Sequence, residues 1–150
     1  IAEGQPPIVI IDESYNANPA SMLAAFQVFE RVAPAASGRR IAVLGDMLEL
    51  GRDGPQLHAS LANPLLKAKV DLVFCCGAQM DALYQLLPQE WRGAHTKDSQ
   101  ELAKKVAAAV QPGDVILVKG SKGSKMPYVI QTLQSLAVPQ TKMKGHPHAL

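Results

Sequence analysis

The chain alternates short apolar runs with longer amphipathic ones. Ile8-Val9-Ile10-Ile11 is an unbroken β-branched run, the pattern of a strand buried on both faces. Asn18-Pro19 then reads as a helix start, because Asn caps free amides and Pro already has the φ of a first helical position. Met22, Phe26, Phe29 and Ala33 recur at helical spacing, and this helix is expected to stop within residues 34–38. The unit then recurs in kind. Residues 40–44 read as a strand, 45–55 as a loop, and 56–68 as a helix with Leu57, Leu61 and Leu65 on one face. A third strand is expected over 70–74, followed by a helix over 78–87 that Pro88 halts. A weak strand over 93–96, an alanine-rich helix over 99–110, a strand over 114–118 and a helix over 127–136 complete the pattern.

Strands alternating with helices of ten or more residues predict an α/β fold: a Rossmann-like open, mostly parallel sheet with helices on both faces. Residues 1–136 form a single expected domain. Residues 137–150, with proline, lysine and histidine and little apolar content, read as a flexible tail.

Composition narrows the functional classes. With 150 residues, 47% hydrophobic and 19% charged, the chain suits one compact domain that needs no staples. A net charge of +2, with basic residues scattered apart from Lys119, Lys122 and Lys125, gives no support for a nucleic-acid partner. No apolar stretch approaches the roughly 20 residues of a membrane span. Cys75 and Cys76 are adjacent and offer neither a disulfide framework nor metal-ligand spacing; two reduced, packed thiols fit a cytoplasmic protein. The chain opens without an initiator methionine and reads as part of something longer.

Ligands of open parallel sheets bind beyond the carboxyl ends of the strands. Three loops qualify, and topology implies that they converge. In Asp12-Glu13-Ser14-Tyr15-Asn16-Ala17-Asn18-Pro19, carboxylates suit ribose hydroxyls or a metal, amides suit a base edge, and Tyr15 offers a stacking face. Asn18 is explained by capping alone and Ser14 by a turn, whereas Tyr15 and Asn16 meet no need of a strand-to-helix loop. In Gly45-Asp46-Met47-Leu48-Glu49-Leu50-Gly51, Asp46 follows a strand directly and is suited to hold an ammonium group. Lys119-Gly120-Ser121-Lys122-Gly123-Ser124-Lys125 combines glycine and lysine as anion sites do, or as a solvated basic loop does. Neither a P-loop nor a G-x-G-x-x-G fingerprint is present. No metal ligands are proposed: His58, His95, His146 and His148 lack ligand spacing, and Trp91 and Met80 read as packing residues.

The first two strings, with Val43-Leu44 ahead of the second, and then Leu117-Val118-Lys119-Gly120-Ser121, resemble the C-terminal domain of MurF-type ligases, the UDP-N-acetylmuramoyl-tripeptide–D-alanyl-D-alanine ligases of peptidoglycan synthesis. The likeness runs in unchanged order from about Ile8 to Leu136. It implies a three-domain enzyme, in which an N-terminal domain holds the UDP-sugar precursor and a central domain holds ATP and Mg2+. The C-terminal domain would close over them and receive D-alanyl-D-alanine; alone, it is expected to be inactive. The resemblance makes Glu13, Ser14, Tyr15, Asn16 and Asn18 nucleotide-facing. It makes Asp46, Met47, Lys119, Ser121 and Lys122 dipeptide-binding, with Lys119 and Asp46 catalytic. Two positions depart from the family's usual pattern. Glu13 stands where Asp is common, lengthening a presumed ribose contact by one methylene. Lys122 stands where Arg is common, which removes a planar two-bond fork. A stand-alone Rossmann-type nucleotide-binding module without ligase activity, or a non-enzymatic interaction domain, are the alternative readings of the same residues.

Overall fold

The computed structural model describes residues 4–144, so His146 and His148 lie outside the described residues. The chain forms a six-stranded sheet whose paired strands all run parallel: β1 (Ile8–Glu13), β2 (Arg40–Gly45), β3 (Leu72–Cys76), β4 (Arg92–Thr96), β5 (Val115–Lys119) and β6 (Gln140–Lys144). Their spatial order is β4-β3-β2-β5-β1-β6.

Period-two alternation sorts the buried strand residues onto two faces. Ile11, Ala42, Leu44, Val73, Cys75 and Leu117 pack on the first face against α1 (Pro19–Arg31), α3 (Ala62–Lys67) and α4 (Asp81–Tyr84). Ile10, Ile41, Val43, Phe74, Ile116 and Val118 pack on the second against α5 (Ser99–Ala109) and α6 (Pro127–Gln134). Buried strand residues on both faces explain why the strands read as apolar runs rather than as alternation.

Helix starts follow their caps. Asn18 Oδ1 accepts from the Ser21 amide at 2.8 Å while Ser21 Oγ accepts from the Asn18 amide at 2.9 Å, a reciprocal capping box with Pro19 at the first position. Asp98 caps α5 by accepting from the Glu101 amide at 2.9 Å.

Three expectations differ from the structure. The helix expected over 56–68 is two, α2 (Gly54–Ala59) and α3, parted at Ser60-Leu61. Pro64 has no amide to donate to Ser60, so the ladder fails there. The helix expected over 78–87 is α-helical only over Asp81–Tyr84, flanked by tighter turns such as Leu86 N to Leu83 O at 3.0 Å. The largest difference lies in the presumed tail over 137–150, of which residues 145–150 lie outside the described residues. Gln140–Lys144 forms β6, in parallel register with β1, and Gln140 Nε2 donates to the carbonyls of Leu133 and Leu136. An edge strand needs few apolar residues because its pairing is carried by the backbone, so composition did not reveal it. Cys75 and Cys76 are free and buried on β3, as expected.

Candidate functional site

β1 and β2 hand the chain to helices on the first face, whereas β5, which lies between them, hands it to α6 on the second. The exits therefore diverge at the carboxyl end of β5, a topological switch point bordered by the three neighbouring loops. Those loops are the three singled out above.

The strand period decides which side chains lie beneath these loops. Ile11 leads to Glu13, Leu117 to Lys119 and Leu44 to Asp46, so all three polar residues continue the first face of the sheet. Glu13 and Lys119 are register partners on adjacent strands. Lys119 Nζ donates to Glu13 Oε1 at 3.1 Å and to the Asn16 carbonyl at 2.9 Å. The pair is enclosed, with Lys119 1% and Glu13 4% exposed. Burial pushes the Lys119 pKa below the ordinary lysine value, and Glu13 opposes that shift through its charge and its hydrogen bond.

Asp46 is also covered. Its carboxylate accepts from the Met80 amide at 2.8 Å and the Gln79 amide at 3.2 Å, tying the β2–α2 loop to the start of α4. Gly77 allows this closeness, since a Cβ there would meet the Asp46 carboxylate. Met47 is fully buried in the first-face core and its amide is taken by a side chain of α2, so it lies beneath the site rather than on its surface.

Ser121 joins all three loops. Its amide donates to the Asp46 carbonyl at 3.1 Å, and its hydroxyl donates to the Ala17 carbonyl at 3.2 Å while accepting from the Leu48 amide at 2.9 Å. The backbones approach closely enough to require glycine: a Cβ on Gly120 would fall 2.6 Å from Ser124 Oγ and 3.1 Å from Gly45 Cα.

Above this buried layer lies an exposed one. Tyr15 is 43% exposed, and Asn16, Asn18, Leu48, Glu49, Lys122 and Lys125 are exposed beside it. The Tyr15 phenol is pushed above its ordinary pKa by burial first, then by the Glu13 and Asp12 carboxylates. Ser14 is buried and serves a turn, its amide and hydroxyl donating to Asp12 Oδ1 at 3.1 and 2.6 Å. The site therefore has two tiers. Glu13, Ser14, Asp46, Met47 and Lys119 form the floor, Ser121 bridges the loops, and Tyr15, Asn16, Asn18 and Lys122 face outward. Among the described residues no group of three or more His, Cys, Asp or Glu side chains is placed to hold a metal ion.

Sequence reasoning passed over His58, which is fully buried in α2. Its Nε2 accepts from the Met47 amide at 2.8 Å and its Nδ1 lies 2.6 Å from the Gly54 carbonyl. An acceptor at Nε2 and a donor at Nδ1 assign the neutral Nδ1–H tautomer. The signal was available: His58 shares a helical stripe with Leu61 and Leu65, and a polar ring on an apolar stripe needs partners for both nitrogens.

The chain and its fold have relatives among known proteins. The family model described as Mur ligase, glutamate ligase domain matches residues 1–122. The UDP-N-acetylmuramoyl-tripeptide–D-alanyl-D-alanine ligase of Escherichia coli is 35% identical over 136 residues, covering 89% of this chain and 28% of that protein. The crystal structure of MurF from Acinetobacter baumannii superposes with a TM-score of 0.74 at 28% identity, covering 91% of this chain and 29% of the other. MurF from Thermotoga maritima in complex with ADP gives a TM-score of 0.69 at 25% identity, over 87% of this chain and 29% of that one. The chain thus spans less than a third of each of these relatives. By the family match over most of its length, the chain belongs to the Mur ligase family as a glutamate ligase domain.

Proposed function

We propose that this chain is the C-terminal domain of an ATP-dependent ligase of the MurF type, joining D-alanyl-D-alanine to UDP-N-acetylmuramoyl-tripeptide in peptidoglycan synthesis. The carrying observation is the meeting of three loops at the β5 switch point, tied through Ser121 and floored by Glu13, Lys119 and Asp46. The named activity of the Escherichia coli relative and the ADP-bound state of the Thermotoga maritima relative support the same reading.

In this reading ATP phosphorylates the terminal carboxylate of the tripeptide, yielding ADP and an acyl phosphate. The amine of the dipeptide attacks the acyl carbon, the phosphate leaves, and the amide remains. Tyr15, Asn16 and Asn18 offer a ring face and amides toward the nucleotide, with Glu13 and Ser14 beneath them. Lys122 offers a cation toward the dipeptide carboxylate, Ser121 borders the same space, and Met47 supports it from the buried floor. Lys119 and Asp46 act from the floor, holding the loops that make these contacts. Mg2+ and the ATP phosphates belong to a central domain, and the sugar nucleotide to an N-terminal one. Closure of this domain over them excludes water from an acyl phosphate that hydrolysis would waste. A cytoplasmic location follows from this reading, and no helix among the described residues is long and apolar enough to cross a membrane.

Phosphate release by the full-length parent protein tests the proposal. Release is expected to require both UDP-N-acetylmuramoyl-tripeptide and D-alanyl-D-alanine in addition to ATP. Release indifferent to the dipeptide, or none with all three, would overturn it.

A further inference from the structure

We infer that His58 is a positioning residue for the dipeptide side of the site, acting through the β2–α2 loop; this rests on the ligase reading above. The loop that carries Asp46, Met47 and Leu48 contains Glu49 in a left-handed conformation, with φ 64°, and Gly51, with φ 71°. Such a loop has no ladder of its own to hold it. Its amides are taken instead by side chains: that of Met47 by His58 Nε2 at 2.8 Å, that of Leu48 by Ser121 Oγ at 2.9 Å.

The two bonds are adjacent links of one chain. α2 holds Met47 through His58, Leu48 next to it holds Ser121, and Ser121 Oγ donates to Ala17 in the β1–α1 loop. The Asp46 carbonyl, one residue before Met47, receives the Ser121 amide. The position of Ser121, and with it the start of the turn bearing Lys122, is thus set by a loop whose inner anchor is an imidazole. His58 is fully buried and both its nitrogens are spent on backbone, so it touches no ligand. Its effect must pass through Met47 and Leu48.

The two ring nitrogens can be separated by isosteric substitution. The amide of Gln reaches about as far as Nε2, whereas the amide of Asn reaches about as far as Nδ1. His58→Gln therefore keeps an acceptor for the Met47 amide and gives up the Gly54 bond. His58→Asn keeps the Gly54 bond and leaves the Met47 amide buried without its acceptor. Each variant loses one of the two hydrogen bonds of the ring, within α2 for Gln and from α2 to the loop for Asn, so a role confined to holding α2 together predicts the larger effect from Gln.

The test uses the full-length parent with steady-state kinetics and amide exchange of the segment containing residues 45–51. His58→Asn is expected to raise KM for D-alanyl-D-alanine about tenfold, with KM for the UDP precursor little changed, and to speed exchange at 45–51. His58→Gln is expected to stay within about threefold of the parent on both readouts. Equal effects of the two variants, or a KM rise shared by every substrate, would overturn the inference. If the parent itself shows no dipeptide-dependent turnover, the ligase reading fails, and with it the dipeptide role of His58. The exchange contrast between Gln and Asn then still reports whether His58 anchors the loop.

Discussion

β5 has an ion pair with a buried carboxylate at each end, and the two differ in what surrounds them. At the amino end, Asp114 is fully buried and accepts from the Arg39 amide at 2.9 Å, Arg39 Nη2 at 2.9 Å, Arg39 Nε at 3.3 Å and the Gln111 amide at 2.8 Å. Arg39 also donates to the Ala109 carbonyl at 2.8 Å, which closes the end of α5 onto the start of β2. At the carboxyl end, Lys119 is held by Glu13 and the Asn16 carbonyl, beneath a loop whose Tyr15 and Asn16 face solvent. The first pair joins connections that carry none of the candidate site residues. The second lies under a surface of aromatic, amide and basic groups. A buried pair alone is weak evidence of function; its position relative to the carboxyl edge of a parallel sheet is what separates the two.

The largest expected effect comes from breaking the carboxyl-end pair. Lys119→Ala leaves the Glu13 carboxylate buried beside a cavity and should lower unfolding free energy by about 3–5 kcal/mol in urea titrations. Lys119→Met combined with Glu13→Gln removes both charges while keeping volume, and should restore most of that stability. Turnover of the full-length protein should stay impaired in the double variant, because the Asn16 carbonyl has lost its ammonium. If turnover returned together with stability, the carboxyl-end pair would be as purely structural as the other.

At the amino end, Asp114→Asn should cost about 1–3 kcal/mol, since a charged acceptor of several hydrogen bonds becomes a neutral one and an added amide donor faces other donors. Well below the variant's unfolding temperature, kcat and every KM should match the parent. A catalytic defect in folded Asp114→Asn protein would erase the distinction between the two ends.

How far these features were legible in the sequence follows from which forces are local. β1, β2, β3 and β5 were legible because strands buried on both faces must be apolar throughout, and α1 because Asn18 and Pro19 mark its start ahead of an apolar stripe. β6 was not, because backbone pairing with β1 holds much of an edge strand, and of its side chains only Met143 packs on the core. The three loops were legible as candidates from topology and from the family strings. Their division into floor and surface was not. Lys119 and Lys122 look alike in sequence, yet one ends a strand and points into the first-face core while the other lies exposed on the following turn. The period-two rule, run past the strand end, would have placed Glu13 and Lys119 together on that face. Nothing local could have shown the Asp46 carboxylate reaching the amides of Gln79 and Met80, more than thirty residues away.

The smallest effect concerns protons at the carboxyl-end pair. Burial lowers the Lys119 pKa in the folded protein, with Glu13 opposing it. Between that lowered value and the unfolded value near ~10.4, the unfolded chain holds a proton that the folded chain has released. Unfolded protein then binds more protons than folded, so the contribution of Lys119 to stability rises with pH across this window. Cys75 and Cys76 act with the opposite sign. Burial raises both thiols, Cys76 to about 12, so the folded protein keeps protons that unfolded thiols lose above about 8.5, and stability falls as pH climbs. Both cysteines are present in Lys119→Met as well, so their effect cancels in a difference. Unfolding free energy of the parent minus that of Lys119→Met, measured by urea titration at steps from pH 8 to pH 10, should therefore increase with pH. A flat or falling difference would mean that Glu13 outweighs burial and that the ammonium is held by its partner rather than penalised by its surroundings.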